Sequence, residues 1–258
     1  MRGKTKIIEK RNTRDHTERL MNYLKIKYKR KILSKDSTSI ELDGPYEIKP
    51  RNITVASDPS SAAFFIVGAL IIPNSFITLK NVALNKTRIA FIDVLKKMGG
   101  KIKIQKTKTV SGEDVGNIKV YYSSLKGIKI KSSYSPYLID EYPILSIAAS
   151  QAKGFTIMKG LSELRHKESD RIKSITKNLA KVGFNAVSKK DDISIEGSKK
   201  IVIANQKKIK TYGDHRIAMS FEILNLLFNN KLAIDDESCI SISYPDFKKH
   251  LDQLTILS

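Results

Sequence analysis

A single cysteine, four histidines and 26 acidic side chains against 47 basic ones set the first limits on this 258-residue chain. Cys239 has no second cysteine to pair with, which excludes internal disulfides and fits a reducing compartment; its thiol reads as a small, semi-buried hydrophobe. His16, His166, His215 and His250 are never paired at metal-ligand spacing and no cysteine cluster accompanies them, so no zinc or other metal site is expected. Long apolar runs are missing too. None reaches the roughly 18 to 20 residues that a membrane span requires, and the start, MRGKTKIIEKR, lacks the apolar stretch of a signal peptide. Glu9, Asp15 and Glu18 follow closely on those basic residues, which argues against a transit peptide; the expected location is the cytoplasm.

The shortage of acid leaves a net charge of +21, which attracts anions in general and does not choose between phosphorylated metabolites and nucleic acid. Much of the lysine reads as solvated surface. With no zinc-finger spacing, no RNP-like aromatic motif and no basic region followed by heptads, a nucleic-acid partner is not expected.

What is present is a core and a repeat. A hydrophobic content of 41% suffices to bury a core. Asp58–Ile72 predicts a helix with Asp58 as N-cap and Pro59 in the first turn, and Phe76–Val82 then alternates like a strand. Asp140–Ala152 followed by Phe155–Lys159 repeats the pattern, and Asp214–Phe228 followed by Lys231–Asp235 repeats it again, each helix opening on an aspartate. Second halves follow: an amphipathic helix Thr87–Met98 ends at Gly99 and Gly100 before KIKIQ, Glu168–Val182 ends at Gly183 before FNAV, and Tyr244–Leu254 closes the last unit. The helix starts recur about every 75 to 80 residues, as in an architecture of internal copies. Arg14–Leu24 matches a second-half helix, with Arg19-Leu20 placed like Arg88-Ile89 and Arg171-Ile172. The expected division puts residues 1–54 in a partial repeat belonging to another domain and residues 55–258 in a three-repeat domain, with Pro45 and Pro50 near the boundary.

The densest chemistry lies in LRHKESDRI, Leu164–Ile172. Glu168 and Asp170 suit the positive end of a helix. Lys167 and Arg171, four residues apart on one helix face, would repel each other unless an anion lies between them. A capped helix start with a solvated basic side is the plainer reading of the same residues.

DPSSAAFF, LRHKESDRI, YGDHRIAMSF and SYPDF, in this order, with RDHTERL near the start, resemble the EPSP synthase family, and the resemblance covers essentially the whole chain. It implies an α/β fold of two similar domains, each an inside-out α/β barrel of three repeats with helices in the middle and sheets outside. The residues from 55 onward correspond to one such domain. Helix N-termini would face the cleft between domains and offer backbone N–H groups to anions.

The implied reaction transfers the carboxyvinyl group of phosphoenolpyruvate to the 5-hydroxyl of shikimate 3-phosphate, without metal or organic cofactor. By motif, Asp140 corresponds to the acceptor of the hydroxyl proton and a shikimate 3-phosphate contact, and Lys167 to a further contact with that substrate. Glu168 corresponds to the acid that handles the methylene proton, and Arg171 and Arg216 to the arginines that grip phosphoenolpyruvate. His215 is expected to support them from behind, and Arg14 resembles a shikimate 3-phosphate contact of some members. The plainer alternatives make Asp140 an N-cap and Arg216 a surface partner of Asp214.

Two departures from the family pattern stand out. Ile242 occupies the place where some members carry a lysine before the SYPDF-like motif. The larger departure is length: family members are much longer than this chain, the missing part being amino-terminal, so the isolated chain is expected to be inactive and a separately encoded amino-terminal half is a candidate partner. A gene fragment, a cloned domain and one half of a split enzyme all fit. A noncatalytic descendant that binds anions or a protein partner is the competing function, a basic nucleic-acid module a third. A sister enzyme acting on UDP-N-acetylglucosamine matches KESDR and DHRIAM less well.

Overall fold

In the computed structural model, which describes residues 3–10, 13–35, 37–200, 202–203, 205–229 and 231–255, helices alternate with small separate sheets. β1 (Gly3–Glu9), α1 (His16–Tyr23), β2 (Lys29–Ile32) and β3 (Thr38–Gly44) come first, with β3 between two antiparallel neighbours. Both outer strands are almost wholly exposed, and α1 buries no residue completely. Residues 45–54 carry no regular element.

The body then opens on a cap. Asp58 accepts the Ser61 backbone N–H at 2.9 Å, Pro59 takes the first turn, and α2 (Pro59–Ile71) follows. PSSAAFFIVGALI is apolar on nearly every side, and a helix of that kind belongs in a core; every residue of α2 except Ser61 is buried. β4 (Phe76–Ala83), α3 (Ala90–Lys97), β5 (Lys101–Val110) and β6 (Glu113–Tyr121) complete this part, the strands forming an antiparallel sheet with β6 in the middle. The structure starts α3 at Ala90, later than the expected Thr87. The Asn85 side chain accepts from both the backbone N–H and the hydroxyl of Thr87, at 2.9 and 2.8 Å, which holds those residues in a turn.

Next come β7 (Lys129–Ile130), α4 (Ser135–Leu138), α5 (Tyr142–Ser150), β8 (Gly154–Met158), α6 (Arg171–Val182), β9 (Asn185–Lys189) and β10 (Asp192–Gly197). Their sheet runs β7-β8-β10-β9, parallel only between β7 and β8. Two expected helix starts shift here. α5 begins at Tyr142 with Glu141 as N-cap, so Asp140 lies in the turn before the helix rather than at its cap. α6 begins at Arg171 rather than Glu168, because the Asp170 carboxylate accepts the Lys173 N–H at 3.1 Å. Lys167 is extended and outside α6, so it does not share a helix face with Arg171. α6 ends at Gly183, whose φ of 111° suits glycine.

β11 (Lys207–Ile209), α7 (His215–Asn225) and β12 (Leu232–Ile234) form the third part, with β11 and β12 parallel, and α8 (Ser238–Ser243) and α9 (Phe247–Thr255) close it. The expected helix to Phe228 finishes in a 3-10 turn, and the expected Tyr244 start gives way to α9 at Phe247. α2, α5 and α7 pack against one another as the centre of the core. Phe247 seals one end, its ring 6.0 Å from Phe64 and 5.6 Å from Phe65. Among the described residues the sheets stay separate and none closes into a barrel, and no helix is long and apolar enough to cross a membrane.

Candidate active site

The bodies of the core helices are largely apolar, and charge gathers at their N-terminal ends. Asp140, in the turn before α5, is the point of convergence. Arg14, just before α1, donates from Nη2 to Oδ2 at 2.6 Å; Lys167 Nζ and Arg171 Nη1 each lie 3.6 Å from Oδ1; and Arg216 donates from Nη1 to the Asp140 carbonyl at 3.1 Å. Burial alone would push the Asp140 carboxyl up, but Arg216, Arg14 and Lys167 outweigh it and bring its pKa down to about 2.

Arg171 is only 1% exposed, and a buried guanidinium persists only when its charge is matched. Its Nε and Nη2 donate to the two carboxylate oxygens of Asp214 at 2.8 and 3.2 Å, and Nη2 also donates to Glu168 Oε2 at 2.6 Å. Nη1 is buried and finds no hydrogen-bond partner among the described residues. A donor left over beside Asp140 suits an anion that brings another oxygen there.

Asp214 was expected only to open a helix, and its role in the site was missed by sequence reasoning. It is fully buried, and Oδ1 caps α7 by accepting the Arg216 N–H at 3.0 Å while Oδ2 also accepts from Ser169 at 3.0 Å. One carboxylate therefore orients the side chain of Arg171 and the backbone of Arg216 together. Burial raises its carboxyl, and the Arg171 guanidinium together with the Ser169 hydroxyl and the Arg216 N–H more than reverses that. The plainer alternative, a surface pairing of Arg216 with Asp214, does not describe this arrangement, in which Asp214 is buried and accepts the Arg216 backbone N–H. Its one sequence signal was the aspartate opening DHRIAM, which reads as a helix cap and says nothing of a partner 43 residues away.

Glu168 is the most accessible of the candidate groups, its side chain 46% exposed. His215 opens α7 between Asp214 and Arg216; burial and the Arg216 charge lower its pKa, which favours the neutral ring. Glu141, also absent from the expected set, is a buried carboxyl that accepts the Ser60 hydroxyl, and burial pushes its pKa up. Ser60 in turn accepts from Arg88 at 2.9 Å, and Arg88 donates to Asp58 at 2.6 Å. The segment carrying Arg14 is tied to the body through Asn85 to Asp15 at 2.7 Å and His16 to Glu113 at 2.5 Å. No group of three or more His, Cys, Asp or Glu side chains suited to a metal comes together among the described residues.

An ionised carboxylate ringed by cations, next to a second, accessible carboxylate, has the parts for moving a proton on a polyanionic substrate. The chain matches the EPSP synthase (3-phosphoshikimate 1-carboxyvinyltransferase) family over residues 1–251. It is 44% identical over 253 residues to 3-phosphoshikimate 1-carboxyvinyltransferase of Petrotoga mobilis, with 98% of this chain and 57% of that protein covered. The corresponding Bacillus pumilus protein is 40% identical, with 98% and 58% covered. Among solved structures, EPSP synthase from Acinetobacter baumannii superposes with a TM-score of 0.87 at 35% identity, covering 98% of this chain and 57% of that one. The enolpyruvyl transferase NikO from Streptomyces tendae shares the fold with a TM-score of 0.73 at 12% identity. The chain thus spans a little over half the length of the curated relatives it matches. Its α/β architecture, its motifs and a match running almost from end to end place it in the EPSP synthase family.

Proposed function

We propose that this chain supplies the carboxy-terminal part of an enolpyruvyl transfer site joining shikimate 3-phosphate and phosphoenolpyruvate in aromatic amino acid biosynthesis, in the cytoplasm. The observation that carries this reading is the set of four cations around Asp140, contributed by chain segments far apart in sequence. In this reading residues 55–258 form one inside-out domain of three repeats, and residues 1–54 begin the other domain.

Asp140 accepts the proton of the shikimate 5-hydroxyl as that oxygen bonds to the enol carbon of phosphoenolpyruvate. Glu168 delivers a proton to the methylene carbon to give the tetrahedral intermediate, then takes a methyl proton back as the carbon–oxygen bond to phosphate breaks and the carbon–carbon double bond re-forms. Lys167 and Arg14 hold shikimate 3-phosphate; Arg171 and Arg216 hold phosphoenolpyruvate, with His215 behind them. A carboxyl with a pKa of about 2 is a weak base. Anionic substrates offer the surrounding cations other partners, which raises the proton affinity of Asp140 when the substrate hydroxyl arrives.

Transfer requires both substrates held together and shielded from water. The relatives' additional length is the natural source of the opposing face, so the isolated chain is inactive and an amino-terminal portion is its partner. Mixing the chain with the separately expressed amino-terminal portion of the Petrotoga mobilis protein tests this. Phosphate release should depend on both substrates and vanish with Asp140→Ala or Glu168→Ala. Release without shikimate 3-phosphate, or turnover by the unmixed chain at the rate of the mixture, would contradict the proposal. Anion binding without turnover in any mixture favours a noncatalytic descendant instead.

A further inference from the structure

The loop that carries Lys167 and Glu168 is held by an arginine that touches neither of them. Arg165 lies in the 3-10 turn Ser162–His166. Its Nε donates to Asp191 Oδ1 at 3.0 Å, its Nη1 to Asp170 Oδ2 at 3.1 Å, and its Nη2 to the carbonyl of Lys190. Asp170 uses its other oxygen to cap α6 through the Lys173 N–H. Lys190 and Asp191 form the tight turn between β9 and β10, where Lys190 takes a φ of 52°. That turn grips the start of the same loop again: the Leu161 N–H donates to the Asp191 carbonyl at 2.8 Å, and the Gly160 N–H to Asp192 Oδ1 at 2.9 Å.

One guanidinium therefore closes residues 165–170 into a ring and moors that ring to a hairpin. Lys167 and Glu168 stand inside the closed segment, between the two residues that the bridge joins. A planar fork with donors on separate edges can do this, whereas an ammonium is a single point. Arg165 is itself about one-third exposed. Partly exposed pairs of this kind add little to global stability, so the arrangement acts mainly on the local shape of the loop.

We infer that Arg165 is a positioning residue of the anion site, presetting the loop so that the Lys167 ammonium is in place before a phosphate arrives. The inference rests on the proposed reading of Lys167 as a shikimate 3-phosphate contact. Asp214 orients Arg171 and Arg216 and meets this loop only through Ser169, while Glu168 of the loop adds one contact to Arg171, so a loss at Arg165 should fall more heavily on shikimate 3-phosphate than on phosphoenolpyruvate. A loop left free must be ordered by the ligand, which lowers affinity for the anion that this loop contacts.

The test uses the whole 258-residue chain with Arg165→Gln and Arg165→Lys. In calorimetry, Arg165→Gln should weaken shikimate 3-phosphate binding about tenfold, in line with losing a charge-assisted contact, and leave phosphoenolpyruvate within about twofold. Arg165→Lys should fall between Arg165→Gln and the unaltered chain. Hydrogen exchange followed by mass spectrometry supplies a readout that needs no ligand: amides of residues 166–170 should exchange about tenfold faster in Arg165→Gln, with α2 unchanged. Equal weakening of both ligands with faster exchange throughout would reduce Arg165 to a structural role and overturn the inference. Unchanged exchange at residues 166–170 would overturn it whatever the ligands do. If the unaltered chain binds neither ligand, the functional reading fails, while exchange still decides whether Arg165 orders the loop.

Discussion

The same sequence pair, an arginine followed by a large aliphatic residue, meets two different fates in this molecule. At Arg171-Ile172 both side chains are buried, the guanidinium against Asp214 and the isoleucine in the core at 0% exposure. At Arg19-Leu20 in α1, Arg19 pairs with Asp15 along its own helix at 2.9 Å and Leu20 is 37% exposed. Both helices show an amphipathic pattern, but only α6 is backed by the core formed around α2, α5 and α7. Helical periodicity names the face that can be buried; a neighbouring element decides whether it is.

Removing each arginine breaks this comparison most sharply. Arg171→Ala leaves Asp214 as an uncompensated buried charge and should destabilise the chain by about 3 to 5 kcal/mol. Arg19→Ala removes a partly exposed pair and should cost under about 1 kcal/mol. Urea unfolding of both variants gives the two numbers. Similar losses would mean that Arg171 is not matched by Asp214 in the way the geometry indicates.

The aliphatic partners sharpen it next. Ile172→Ala should cost about 2 to 5 kcal/mol through lost burial and the cavity left behind. Leu20→Ala, at a site already open to water, should cost far less. Thermal melts of the two variants should separate by several degrees, and coincident melts would place α1 in a better-packed setting than the structure gives it.

The helix starts rank third. Asp170→Ala removes the side-chain cap of α6 and should cost about 1 kcal/mol. Asp15 precedes α1 without a capping hydrogen bond, so Asp15→Ala acts only through its contacts with Arg19 and Asn85. Helicity measured by circular dichroism should fall more for Asp170→Ala.

These examples show what was legible in the residues. Asp58, with Pro59 behind it, announced a helix start because a cap is local chemistry, and the family motifs named the groups that meet at Asp140. Arg171 with Asp214 was not legible, because a bond spanning 43 positions leaves no local trace. The helix expected from Asp140 starts later because Glu141 takes the cap position, and two adjacent carboxylates look alike until their burial is known. Lys167 was set on a helix by its spacing from Arg171, whereas the Asp170 cap places the helix start after it. The small sheets depend on pairings such as β11 with β12, too short to stand out by alternation.

The last expected effect concerns acid, and it tests the cations that surround Asp140. The Asp140 pKa is brought from its ordinary 3.8 to about 2 in the folded chain. A depressed carboxylate pKa means that the unfolded chain binds the proton more readily, so stability falls as pH is lowered. The contribution is fully present above about 3.8 and is lost as pH falls through about 2. Asp140→Asn cannot titrate there and lacks the negative charge between Arg14, Lys167 and Arg171 at every pH. This variant should be less stable than the unaltered chain at about pH 6, and the gap should narrow progressively as pH falls below about 3.8 and close as it passes about 2, where a protonated carboxyl and a carboxamide are equally uncharged. Urea midpoints at half-unit pH steps would check this, and a constant gap for Asp140→Asn would show that the surrounding cations do not act on that carboxylate as their distances require.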